Sequence, residues 1–98
     1  MDTLTSMDLF VKAVDTGSFS ATARQMNLTP SAVSKQISRL EDRLGARLFN
    51  RTTRRLGPTE EGRAYYERCR LILADIDEAE SAISQLNTEP RGLLRVNI

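Results

Sequence analysis

Four residues, Asn27-Leu28-Thr29-Pro30, separate two stretches of helical periodicity, and no other feature of the sequence restricts the fold as much. Asparagine tolerates the left-handed backbone that ends a helix and turns the chain sharply. Threonine followed by proline does the reverse. The hydroxyl accepts from a free amide, and proline suits the first helical position because it has no amide hydrogen to leave unpaired. The two stretches must therefore be helices joined by a tight turn. Before the break, Ser20 is the expected hydroxyl cap of a helix over Ala21–Met26, with Ala23 and Met26 inward. After it, a helix opens at Pro30, runs through Ser31 to Leu44 and stops at Gly45, burying Val33, Ile37, Leu40 and Leu44.

The flanking segments complete the pattern. Leu4, Met7, Phe10, Val11 and Val14 predict a first helix over about residues 4 to 16, capped by Thr3 or Thr5 and stopped by Gly17. Alternation in Arg47-Leu48-Phe49-Asn50-Arg51 predicts a short strand. Thr52-Thr53-Arg54-Arg55 reads as a polar tip, and Leu56-Gly57-Pro58 closes a small β-hairpin wing. Thr59 then caps a long helix, with Glu60 and Glu61 complementing the positive end of its dipole and Gly62 reading as a mild weakness. Along it Tyr65, Cys69, Ile72, Ile76, Ala79, Ile83 and Leu86 alternate steps of four and three residues. Such a heptad seam calls for a partner helix, so these seven residues are the candidate dimer contacts. Glu89-Pro90-Arg91-Gly92 ends the helix, and Leu93–Ile98 reads as the first strand of a following domain.

The expected fold is therefore mainly α: a three-helix winged helix-turn-helix over residues 1–58, a dimerisation helix over 59–89, and a hinge with the start of a strand over 90–98. Composition agrees, since 98 residues with 5% aromatics and no tryptophan favour small helices packed on helices. It also narrows the function. With no histidine and one cysteine, the chain offers neither an internal disulfide nor the usual zinc ligands, and no cofactor is expected. Cys69 lies on the apolar seam, where packing explains a free thiol better than redox sensing. Asp75, Asp77, Glu78 and Glu80 have no accompanying nucleophile, and a solvated helix face explains them. No catalytic residue is assigned. The chain shows neither a secretory signal nor an apolar run long enough for a membrane span, so a cytoplasmic protein without membrane contact is expected.

Charge is divided along the chain. Residues 18–58 carry eight Lys or Arg against Glu41 and Asp42, a net of +6, whereas residues 59–89 carry three Arg against eight acidic residues, a net of −5. A basic block beside an acidic one suits a phosphate-binding domain joined to a solvated helix. A helix-turn-helix needs a small residue where its helices cross, a residue tolerant of positive φ in the turn, and apolar anchors behind the recognition helix. Ala23, Asn27, Leu28, Val33 and Ile37 meet those needs. Packing through them leaves Thr29, Pro30, Ser31, Ser34, Lys35, Ser38 and Arg39 near or on the outer face of the third helix, where small hydroxyls permit close approach to bases and Lys35 reaches a guanine edge or a phosphate. Ser34 and Lys35 are the leading base readers. On the wing, Arg51, Arg54 and Arg55 suit phosphates or a narrow minor groove, with Thr52 and Thr53 as short donors.

Phe10, Gly17-Ser18-Phe19-Ser20, Ala23, Ser31-Ala32-Val33-Ser34-Lys35-Gln36-Ile37, Leu40-Glu41, Leu44-Gly45, Leu48-Phe49, Arg51 and Thr59-Glu60-Glu61-Gly62 stand in a characteristic order. In this the chain resembles the N-terminal part of LysR-type transcriptional regulators over nearly its whole length. Two places depart from that pattern: Thr29 stands where glutamine is common before the proline, and Pro58 where leucine is usual. The resemblance implies a winged domain with Ser31, Ser34 and Lys35 at the major groove and the wing arginines at the minor groove or phosphates. It also implies antiparallel dimer contacts through the linker helix, and a tetramer built through an effector-sensing domain that binds a small molecule. The expectation is sequence-specific binding of double-stranded DNA at a partly palindromic operator by a homodimer. The main alternative is a winged-helix module whose basic face binds an acidic protein surface. A hydrolase or transferase has the least support, there being no histidine and no phosphate-cradling glycine loop.

Overall fold

The computed structural model describes residues 1–51 and 56–87. Along these run α1 Thr3–Thr16, α2 Phe19–Met26, α3 Pro30–Leu44, β1 Phe49–Arg51, β2 Leu56–Pro58 and α4 Glu60–Asn87. The strands pair antiparallel with Phe49 opposite Pro58, Asn50 opposite Gly57 and Arg51 opposite Leu56. The observed order of elements is the one the sequence predicts, although the first strand is shorter than the alternation over Arg47–Arg51 suggests. The expected wing tip, Thr52, Thr53, Arg54 and Arg55, and the expected hinge and strand beyond Asn87 lie outside the described residues.

Each helix begins on a side-chain acceptor and the first three end in a left-handed residue. Thr29 Oγ1 accepts from the Ala32 amide at 3.1 Å with Pro30 in the first helical position, as expected. Asn27 adopts φ 60°, and its amide donates to the Ala23 carbonyl. Two caps differ from expectation. Asp2, not Thr3 or Thr5, accepts from the Thr5 amide at 2.8 Å, so α1 starts one residue earlier and places a carboxylate at the positive end of the dipole. Ser18 rather than Ser20 accepts from the Ala21 amide at 3.1 Å. That earlier start makes Phe19 helical and turns its ring edge-on to Phe49, with centroids 5.6 Å apart.

The core gathers where α1, α2, α3, the wing and the start of α4 meet. Phe10 lies at its centre, with its ring 5.4 Å from Phe49 on the wing and 5.3 Å from Tyr65 on α4. Leu9, Val33, Ile37, Leu48 and Cys69 close around it. Buried Thr22 is satisfied by the Ser18 carbonyl at 2.8 Å and the Thr16 hydroxyl at 3.1 Å. Two expected core positions are outside it. Leu4 sits a turn before the core begins, and Leu44, 39% exposed, lies beyond its far end because α3 outruns so small a domain. The inward place in that last turn belongs to Glu41.

Helix α4 starts as part of this domain and then leaves it. The Thr59 amide donates to the Leu48 carbonyl at 2.9 Å, its hydroxyl donates to the Arg47 carbonyl at 2.5 Å, and it caps the helix by accepting from the Gly62 amide at 2.9 Å. Gly62, read from sequence as a weakness, is a requirement, since a Cβ there would collide with the Leu48 carbonyl oxygen. Farther on, Tyr66 hydroxyl donates to Asp15 at 2.5 Å, tying α4 to α1, and Cys69 is the last α4 residue in the core.

Candidate nucleic-acid interface

Burial of Val33, Ile37, Leu40 and Glu41 fixes which side of α3 faces outward. Thr29, Pro30, Ser31, Lys35 and Arg39 are exposed, and Ser34 and Ser38 are half-buried on the same side. Positions 31, 34, 35, 38 and 39 follow the spacing of one helix face. Among the described residues neither Lys35 nor Arg39 takes part in an ion pair. Thr29 and Ser31 hydroxyls lie 3.3 Å apart at the amide-rich start of the helix. The face thus offers a row of short hydroxyl donors, two unpaired cations and the positive end of a helix dipole, a combination that suits an anionic, grooved ligand.

Behind this face lies a polar clasp centred on Glu41, a residue that sequence reasoning assigns to no site. The buried Glu41 carboxylate accepts from the Leu48 amide at 2.8 Å and the Phe49 amide at 3.3 Å through one oxygen. Its other oxygen accepts from Arg51 Nη2 at 2.9 Å and stands 4.0 Å from Arg47 Nη1. Arg51 also donates to Ser38 Oγ at 3.3 Å and lies 5.9 Å from the centre of the Phe19 ring. Arg51 was expected to meet phosphate or the minor groove; the geometry gives its guanidinium a task inside the domain, holding the wing to α3. The adjacency of Leu40-Glu41 to an arginine ten residues on was visible in the sequence, but only the hairpin's return path makes them neighbours.

The candidate dimer residues divide into two groups. Tyr65 is half-buried against Phe10 and Cys69 is fully buried, so the first part of the seam packs within its own domain. Burial pushes the Cys69 thiol above its ordinary value, with hydrogen bonding to Tyr65 offsetting part of the rise, which leaves it uncharged and unreactive at neutral pH. Burial likewise raises the Tyr65 phenol, with Cys69 adding to the effect. The Tyr66 phenol is raised chiefly by its hydrogen bond to Asp15. From Ile72 onward the seam is open: Ile76 is half-buried, Ile72 and Ala79 are exposed, and Ile83 and Leu86 are 59% and 61% exposed. Thr52, Thr53, Arg54 and Arg55, the remaining candidates, fall outside the described residues. Among those described, no group of acidic or cysteine side chains is placed to hold a metal ion, and no helix is long and apolar enough to cross a membrane.

Comparison with known proteins places this arrangement among characterised domains. Residues 4–63 match the model of the bacterial regulatory helix-turn-helix proteins of the lysR family. An HTH-type transcriptional regulator of Xanthomonas campestris pv. campestris is 50% identical over 90 residues, covering 92% of this chain and 26% of the relative. An HTH-type transcriptional repressor of Pseudomonas aeruginosa is 46% identical over 97 residues, covering 99% of this chain and 31% of the relative. The chain therefore spans less than a third of the length of either. Among solved structures, a crystal structure of BenM_DBD in complex with benA site 1 DNA superposes with a TM-score of 0.81 at 27% identity, covering 90% of this chain and 99% of that one.

Proposed function

This chain belongs to the lysR family of bacterial regulatory helix-turn-helix proteins, and we propose that it makes such a regulator's DNA contact by laying α3 in the major groove. Its winged helix-turn-helix is the DNA-binding domain of a transcription regulator. The observation that carries the groove reading is the outward face of α3, where Ser31, Ser34, Lys35, Ser38 and Arg39 line one side while Val33, Ile37 and Leu40 bury the other. Ser34 and Lys35 read base edges with Ser31 beside them in the major groove; Thr29 and Arg39 hold the flanking phosphates. Arg54 and Arg55, with Thr52 and Thr53, supply the wing's phosphate or minor-groove contacts.

The rest of the assignment follows from α4. Ile72, Ile76, Ala79, Ile83 and Leu86 form an apolar stripe whose far end is not covered by any of the described residues, Ile83 and Leu86 being 59% and 61% exposed, and a second copy of α4 covers it. The unit that binds is then a homodimer on a partly palindromic site. In the whole regulator a further domain senses a small-molecule effector and builds the tetramer, the protein acts in the cytoplasm, and no catalytic step is involved. Selection of bound duplexes from a random pool tests the reading. Enrichment of two inverted half-sites about one helical turn or a multiple apart is expected. Recovery of unselected sequence would leave only a basic surface and favour an acidic protein partner.

A further inference from the structure

We infer that Glu41 is a positioning residue of the DNA interface: through Arg51 it fixes the wing against α3, and so sets which base pairs beside the α3 contact the wing can reach. This rests on the reading of α3 as the groove element. Among the described residues Glu41 is the one buried carboxylate. Burying a carboxylate is costly unless its oxygens are used, and here both are. One oxygen takes the Leu48 and Phe49 amides, which ties the base of the wing to the last turn of α3. That bond alone would anchor the hairpin. The other oxygen takes Arg51 Nη2 at 2.9 Å, and Arg51 Nη1 in turn donates to Ser38 Oγ, 3.3 Å away, so the same pair that satisfies the carboxylate also joins the wing to the outward side of α3.

Ser38 lies on the outward side of α3, with Ser34 and Lys35 one turn before it. The end of β1, where the hairpin departs toward its tip, is therefore pinned to the same face that meets the groove. Phe19 backs the guanidinium at 5.9 Å and limits its swing. Without the anionic oxygen, the wing stays attached at Leu48 and Phe49, but the end of β1 at Arg51 is no longer held against α3. A freed Arg51 also gains phosphate as an alternative partner. Loss of Glu41's charge should consequently act in opposite directions on two quantities, holding or raising general affinity for DNA while lowering discrimination at the pairs flanking the α3 contact. A residue that merely supports the fold would lower both.

The test compares the wild-type chain with Glu41→Gln and Arg51→Lys, by footprinting and by competition among duplexes altered either beneath α3 or in the flanking pairs. Glutamine keeps one carbonyl oxygen for the Leu48 and Phe49 amides and gives up the charge that holds Arg51. Folded Glu41→Gln should bind random duplex as tightly as wild type or a few-fold tighter, because one negative charge near the phosphates is gone. It should keep its preference beneath α3 within about twofold and lose about fivefold or more of its flank discrimination. Arg51→Lys should show the same flank loss, and the double variant little beyond either single one. If Glu41→Gln does not fold, Arg51→Lys decides alone by the same flank measurement. Unchanged flank discrimination in a folded variant, or equal losses beneath α3 and at the flanks, overturns the inference. Absence of any sequence preference in the wild-type chain overturns the groove reading instead, and the inference with it.

Discussion

Gly62 shows how far a residue's meaning depends on what the fold brings against it. By helix propensity alone, replacing a glycine inside α4 with alanine should stabilise by about 1 kcal/mol. The structure reverses the sign. The Cβ would strike the Leu48 carbonyl oxygen, which cannot retreat freely because it accepts from the Thr59 amide at 2.9 Å, and Pro58 Cβ closes the other side. Gly62→Ala is expected to lower stability by about 1 to 3 kcal/mol in urea denaturation, the usual range for overpacking. Cys69 gives a second prediction. Its thiol and the Tyr65 phenol both titrate above their ordinary values of 9.0 and 10.0. Groups whose folded-state values are raised contribute stability that is full below the unfolded value and is lost as pH rises through the folded one. Stability should thus fall as pH rises above 9.0, beyond the thiol's ordinary value, and Cys69→Ala should flatten that fall even while lowering stability near pH 7. A pH slope unchanged by the substitution would contradict it. Asn27, Thr29 and Pro30 were legible from sequence because their work is local. Gly62 and Glu41 were not, because their partners sit on a segment that only tertiary folding places beside them.

At the scale of the element, α4 is one helix with an observed duty, closing the core of its own domain, and a proposed one, pairing with a second copy. Its 28 residues span about 42 Å at 1.5 Å per residue, far longer than the domain it springs from needs. The heptad spacing marks an apolar stripe but does not divide it, because steps of four and three look alike whether the neighbour is α1 of the same chain or a second α4. Phe10 against Tyr65 and the burial of Cys69 mark where the first duty is performed. Ile76→Asp, well beyond that point, should convert the proposed dimer to a monomer in sedimentation while leaving the thermal unfolding of the winged domain within a few degrees of wild type. An unchanged dimer would mean that the stripe meets something other than its own copy. The wing carries another prediction at this scale. If Arg54 and Arg55 each neutralise a phosphate, replacing both with alanine should make log affinity less steep against log salt by about 1 to 2 units per protomer. An identical slope would remove them from the interface. The start of α2 lies two residues before the one its sequence suggests for a simple reason: Ser18 and Ser20 are equally good caps in isolation, and the edge-on packing of Phe19 on Phe49 selects the first.

For the whole molecule, the parts form a chain of constraint from dimer to base pair. In the proposed dimer helix α4 pairs two copies, while within each copy Tyr66 ties α4 to α1 through Asp15 and the Phe10 cluster joins α1 to the wing. The separation of the two α3 helices on DNA is then set by rigid packing rather than by linkers. Sequence reading by the outward face of α3 is tested most directly by measuring the affinity of wild type and the Ser34→Ala, Lys35→Ala double variant for a selected duplex and a scrambled one across a salt series. A lost base contact is expected to reduce the ratio of the two affinities about tenfold or more, with a much smaller fall on scrambled DNA. Equal weakening on both duplexes with a shallower salt dependence, or no change on either, would contradict the claim and assign α3's face to the phosphates or remove it from the groove.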